Sequence, residues 1–165
     1  MEKLSERWAV NPQLDEVELV YRTSTENANK PQLSSPEEVS DYLRSIWNQD
    51  HIELQEEFYV LLFNNAMRVL GWSKISSGGR SATIVDVSYI VQLAVLSNAS
   101  SVIIAHNHPS GTLKPSTADI NLTKRIQNAL QILSITLKDH IILSRQGYYS
   151  FLDHNRMPNS YSEYE

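Results

Sequence analysis

Apolar positions change period along the chain, and the changes mark out its elements. Residues 16–22, Glu-Val-Glu-Leu-Val-Tyr-Arg, alternate as a half-buried strand does. Residues 23–34 are rich in Ser, Thr, Asn, Lys and Pro and read as a loop or linker. Ser35-Pro36-Glu37-Glu38 then opens a helix: Ser35 caps it, Pro36 suits its first position, and Glu38 completes a capping box. Val39, Tyr42, Leu43, Ile46 and Trp47 form one apolar face, and the helix should end near Asn48. Residues 57–63, Glu-Phe-Tyr-Val-Leu-Leu-Phe, are a β-rich run, and a turn at Asn64-Asn65 leads into a second strand at 67–75, making a hairpin. Gly78-Gly79 marks a loop. Asp86 or Ser88 caps a helix to about Ser97, with Val87, Ile90, Val91 and Ala94 on its stripe.

Residues 102–105, Val-Ile-Ile-Ala, form a short continuous apolar run, which suits a strand buried on both faces. The polar turn His106-Asn107-His108-Pro109-Ser110-Gly111 follows it. Pro115-Ser116 opens a helix over 117–132, 136–143 form another strand, and Tyr148-Tyr149-Ser150 a short last one. From His154 the chain is polar and is expected to fray. Three regions result: an N-terminal extension (1–34) with one strand, a domain (35–153), and a polar tail (154–165). Strands alternating with helices after a leading hairpin predict an α/β (α+β) fold with a mixed sheet and helices on its faces.

Composition narrows the chemistry. A chain of 165 residues, 41% hydrophobic and 20% charged, suits one domain with extensions. It contains no cysteine. That excludes disulfides, zinc ribbons and fingers, and the Cys-ligated nucleobase deaminases, so any metal must be held by His, Asp, Glu, backbone or water. Met1–Arg7 has no apolar core of signal-peptide length, and no run approaches a membrane span, so the expected location is cytoplasmic. The net charge of −5 argues against non-specific nucleic-acid binding, and the Lys124-Arg125 pair makes no basic patch.

One constellation stands out. His106 and His108 are two apart at the end of a buried strand, so both imidazoles can face one point. The following helix carries the stripe Leu122, Ile126, Ala129, Leu130 and Leu133, and Asp119 lies three before Leu122 and seven before Ile126. A carboxylate on the buried side of a first turn needs a partner. That partner is either its own helix amides, with Ser116 as the cap, or a cation shared with the histidines, and the two are compatible. Two His and one Asp leave a fourth position open, as catalytic zinc requires. Glu56 and Glu57, at the start of the 57–63 strand, both offer a general base. Strand parity does not separate them, because apolar residues continue both faces. His140, after Asp139, reads as a hydrogen-bonded structural histidine, with support of the site as the alternative. His51 and His154 read as surface residues.

The spacing His106-x-His108, seven residues, Ser116, two residues, Asp119 resembles the JAMM metalloprotease motif, also called MPN or JAB. The string His-Asn-His-Pro-Ser-Gly, then Pro-Ser-x-x-Asp and Thr123, is similar to the RadC branch, as are Glu56-x-Phe58 and Asp139-His140-Ile-Ile. The resemblance covers about residues 35–152. It implies a JAMM/MPN sandwich akin to the cytidine-deaminase layout, and Zn²⁺ on His106, His108 and Asp119. Glu56 would activate the water and later protonate the leaving amine, and Ser116 would stabilise the oxyanion. The implied reaction is hydrolysis of a peptide or isopeptide bond in a protein or peptide substrate. RadC relatives often carry an N-terminal helix-hairpin-helix module, of which residues 1–34 show no trace, and Ser81-Ala82-Thr83 replaces their usual Ser-Gly-Thr. The alternatives are a non-catalytic scaffold that kept the metal, and a DNA-associated accessory suggested only by the historical repair label on RadC proteins.

Overall fold

The computed structural model describes residues 26–78 and 84–159. The strand expected at 16–22 and part of the Gly78-Gly79 loop, with Ser81-Ala82-Thr83, lie outside them. Helix α1 (Pro36–Ile46) begins at Ser35, whose side chain accepts the Glu38 amide, while Glu38 returns a carboxylate to the Ser34 amide. β1 (Glu57–Phe63) and β2 (Val69–Ser77) form the hairpin. The second strand begins two residues later than expected, because Asn64 closes a longer turn: its side chain accepts from the amides of Ala66 and Arg68. α2 (Val87–Leu96) is capped by Asp86. β3 (Ser101–Asn107), α3 (Thr117–Gln131), β4 (Thr136–Leu143) and β5 (Tyr148–Ser150) complete the order.

The strands form one sheet, β2-β1-β3-β4-β5, antiparallel except for the β3–β4 pair. α3 is the crossover that a parallel pair requires. β3 is central and buried at every residue. Its alternate positions feed two cores. On one face Ile103 and Ala105 join Tyr59, Leu61 and Phe63 under Val39, Leu43 and Trp47 of α1 and its cap. On the other, Val102 and Ile104 join Phe58, Val60 and Leu62 under Ile90 and Ala94 of α2 and Ile126 and Leu130 of α3. The sheet is thus covered by helices on both faces.

β4 carries a bulge. Val102 pairs with Leu137 but Ile103 pairs with Asp139, so Lys138 is an extra residue. The extra residue changes the phase of the strand. Leu137 and His140, three apart, therefore both face the α2/α3 side: Leu137 packs in that core and His140 meets Thr123 of α3.

Two expectations are corrected. The α3 stripe does not extend to Leu133 as expected, because the helix ends at Gln131 and Leu133 is exposed in the turn that follows. That turn closes through Ser134, which has φ 57°, and sends Ile135 inward instead. Fully buried Thr123 takes a stripe position. The tail does not fray over 154–159. The amides of His154 and Arg156 donate to Ser150 and Phe151, the His154 ring stacks on Tyr149, Met157 packs against the core, and Pro158 accepts from Gln127. Backbone bonds and two apolar residues tie down a segment whose composition is polar.

Candidate metal centre

β3 delivers His106 on the α2/α3 face, and the chain turns immediately afterwards. The His108 amide donates to Leu143, and the Gly111 amide donates to the His108 carbonyl. Gly111 has φ 79°, a backbone that costs any L side chain, so the turn needs glycine there. The chain then enters α3 through Ser116. The Ser116 hydroxyl accepts the Asp119 amide at 3.1 Å, and Asp119 Oδ2 accepts the Ser116 amide at 2.6 Å. This reciprocal box leaves Oδ1 turned toward His106, while Oδ2 also lies toward His108.

His106, His108 and Asp119 meet in a small triangle, and each offers one ligand atom. The two Nε2 atoms are 2.9 Å apart, His106 Nε2 lies 3.3 Å from Asp119 Oδ1, and His108 Nε2 lies 3.6 Å from Asp119 Oδ2. Tetrahedral ligands at zinc bond lengths of about 2.0–2.1 Å stand about 3.3 Å from one another. The separations fall around that value, with the two histidines facing different oxygens of Asp119, and the His₂Asp donors suit zinc. His106 is buried, while His108 and Asp119 keep a solvent-facing edge. His108 Nδ1 donates to the Thr112 carbonyl at 2.6 Å, which leaves its Nε2 for the site.

Electrostatics at the triangle favour a cation. Burial alone would raise the Asp119 carboxyl, but hydrogen bonds from the His106 and His108 rings in their protonated form overcome it and hold the group well below the usual carboxylate range. The bond to Asp119 raises His108, against burial, and the charge of Glu56 adds to the effect. The same negative field that attracts a proton to this triangle attracts a metal ion.

Glu56 and Glu57 part company in the structure. Phe58 lies opposite His106 in the β1–β3 register, and its ring stacks on the imidazole at 6.1 Å. Glu56, two residues before Phe58, is half-buried and falls on the same side of the sheet. Its carbonyl is fixed by the Gly78 amide at 2.8 Å. Glu57 points to the opposite face and is fully buried there. His51 and Lys74 meet its carboxylate at 3.0 and 3.1 Å, and Gln55 and the Tyr59 hydroxyl meet it at 3.3 Å. Burial pushes the Glu57 carboxyl up, but these partners prevail and hold it low, and burial beside Glu57 pushes the Tyr59 hydroxyl up to about 12. Glu57 is thus committed to a buried network, and His51, expected at the surface, belongs to it.

Two further residues bear on the site. Asn107, between the two histidines, faces away from them. Its side chain donates to the carbonyls of Ile52 and Gln55 at 2.8 and 2.9 Å and accepts the Glu57 amide at 2.7 Å, pinning the segment that carries Glu56. His140 is hydrogen-bonded and buried, as a structural histidine is, and it also supports the site, the alternative expectation: its Nε2 lies 2.8 Å from His106 Nδ1. Burial lowers the His140 pKa well below its ordinary value, and the neighbouring His106 lowers it further.

A mixed sheet covered by helices, with two histidines leaving a central strand and an aspartate on the next helix, defines a JAB-type domain. Residues 33–157 match the RadC-like JAB domain, and the chain belongs to that family. Its relatives include a UPF0758 protein of Flavobacterium johnsoniae, 45% identical over 98 residues, covering 59% of this chain and 43% of the relative. A UPF0758 protein of Porphyromonas gingivalis is 47% identical over 100 residues, covering 60% and 44%. One of Rubrobacter xylanophilus is 36% identical over 143 residues, covering 86% and 61%. The matched segments span about half the length of these relatives. No helix among the described residues is long and apolar enough to cross a membrane.

Proposed function

We propose that the chain is a zinc-dependent hydrolase of the JAMM type that cleaves a peptide or isopeptide bond. One observation carries the reading: three metal-type donors converge at separations close to those between zinc ligands, with Glu56 on the same face of the sheet. His106, His108 and Asp119 would hold the ion and leave one position open. Zinc bound there supplies a Lewis acid that brings the pKa of a water to about 7. Glu56 accepts the proton of the attacking water and returns it to the leaving amine. The Ser116 hydroxyl accepts the Asp119 amide and keeps its own proton for a developing oxyanion. Capping and oxyanion donation are compatible uses of one hydroxyl.

The test combines elemental analysis with a hydrolysis panel of peptide and isopeptide substrates. Wild type should hold about one zinc per chain after stripping and reloading, and the His106→Ala, His108→Ala double variant almost none. Glu56→Gln should keep its zinc and lose about 100-fold or more of the turnover. Turnover that survives Glu56→Gln would sink the assigned mechanism. A wild type without stoichiometric zinc would sink the metal. Full zinc with no turnover on any substrate would move the scaffold reading ahead.

A further inference from the structure

Behind His106 runs a chain of hydrogen bonds that ends on the backbone of α3. Thr123 Oγ1 donates to the Asp119 carbonyl at 2.6 Å. The same oxygen lies 2.7 Å from His140 Nδ1, and His140 Nε2 lies 2.8 Å from His106 Nδ1. Thr123 and His140 are fully buried, so no water can supply or accept a proton along the way.

Proton bookkeeping then has one solution. A carbonyl can only accept, so the single hydroxyl proton of Thr123 is spent on Asp119. At the next contact the oxygen must accept, and His140 Nδ1 must carry the hydrogen. His140 is sealed between the Phe151 ring, stacked at 4.6 Å, and the Phe58 ring, and among the described residues its two ring nitrogens meet only Thr123 and His106. With no carboxylate against it, it is neutral and has only that one N–H. Its Nε2 therefore accepts, and His106 Nδ1 donates. A neutral His106 is left with a bare lone pair on Nε2, 3.3 Å from Asp119 Oδ1, an arrangement that is satisfied by a cation between the two.

We propose that Thr123 and His140 are positioning residues that set the tautomer of His106, so that its Nε2 is presented to the metal as a lone pair. The inference rests on the metal reading of the triangle, and it extends that reading to residues outside it. The anchor is rigid, because the Asp119 carbonyl belongs to a ligand residue and to the first turn of α3. One ligand thereby orients another through two intermediates. The β4 bulge is what brings His140 into line.

Two readouts that need no turnover test this. The first is the nitrogen chemical shifts of ¹⁵N-histidine in the zinc-free full chain at alkaline pH. His106 and His140 should both appear as Nδ1–H tautomers. Finding His106 as Nε2–H, or His140 with a bare Nδ1, would overturn the proposal, and this needs only wild type. The second is zinc affinity by chelator competition. Thr123→Val keeps the shape but removes the acceptor, freeing His140 to reverse. Affinity should fall about 10- to 100-fold, the range for lost partners of metal-bound histidines. Thr123→Ser should restore affinity to within about threefold of wild type and restore the tautomer pattern. Equal affinities and tautomers in wild type and Thr123→Val would overturn it. If wild type binds no zinc, the metal reading fails, and the wild-type tautomers still decide the relay.

Discussion

Replacing Asn107 by leucine removes three hydrogen bonds while keeping nearly the same branched shape. The side chain is fully buried, and it serves the Ile52 and Gln55 carbonyls and the Glu57 amide. The Ile52 and Glu57 contacts are buried, whereas the Gln55 contact is close enough to the surface for water to substitute. A buried backbone group without a partner costs about 1–3 kcal/mol. Two such groups, with a smaller contribution at Gln55, make about 3–5 kcal/mol, against a total stability of about 5–15 kcal/mol for a domain. Urea unfolding followed by far-UV circular dichroism would measure the loss as a fall in midpoint at constant slope. Asn107→Asp should be at least as harmful near neutral pH, since it sets a carboxylate oxygen against two carbonyls. A loss below about 1 kcal/mol for Asn107→Leu would refute the idea that these bonds hold the segment. Any Asn107→Leu protein that folds should still bind zinc, because His106 faces the other side of the sheet, but the segment that carries Glu56 would lose these three bonds.

Two other outcomes can be checked independently. Burial raises the Asp139 carboxyl to about 6, outweighing hydrogen bonds from Ser150 and from the Leu152 and His140 amides. A raised carboxyl contributes stability that is full below about pH 4 and lost as the pH climbs through the folded value, so Asp139→Asn should gain about 3 kcal/mol relative to wild type between pH 4 and pH 7.5. Denaturation at several pH values reads this, and a pH-independent difference would contradict it. Gly111→Ala forces a side chain onto φ 79° where the nearest atom, Gln146 Oε1, leaves room at 3.7 Å. The cost is therefore backbone strain of about 1–2 kcal/mol, seen as a drop of about 2–8 °C in melting temperature, and an unchanged Tm would show that the turn adapts.

Local pattern is enough for the helices and the hairpin, because each depends on periodicity within one element, and the convergence of His106, His108 and Asp119 is legible from the spacing of the two histidines combined with the stripe of the next helix. The choice between Glu56 and Glu57 is different. Both continue apolar faces, and only the pairing of Phe58 with His106 tells which face holds the histidines. The network around Glu57 depends on Lys74, brought in from the partner strand. His140 shows the same limit more sharply. Its direction depends on one extra residue in β4, and nothing in Thr-Leu-Lys-Asp-His announces a bulge. The docked 154–159 segment escaped notice because its hold comes from backbone amides and from Met157 and Pro158, not from an apolar pattern.

The bulge at Lys138 also separates two kinds of genetic change. Lys138 is exposed, so its identity can vary at little cost. Its loss would be tolerated by the register too: deleting that single codon would pair Leu137, Asp139 and His140 with Val102, Ile103 and Ile104 in unbroken alternation and keep Leu137 and His140 on one face. An inserted residue that pairs instead of bulging, placed between Asp139 and His140, would turn His140 to the opposite face and leave His106 Nδ1 without its acceptor. Over residues 136–140 the number of paired residues, not the length of the chain, therefore decides where His140 points.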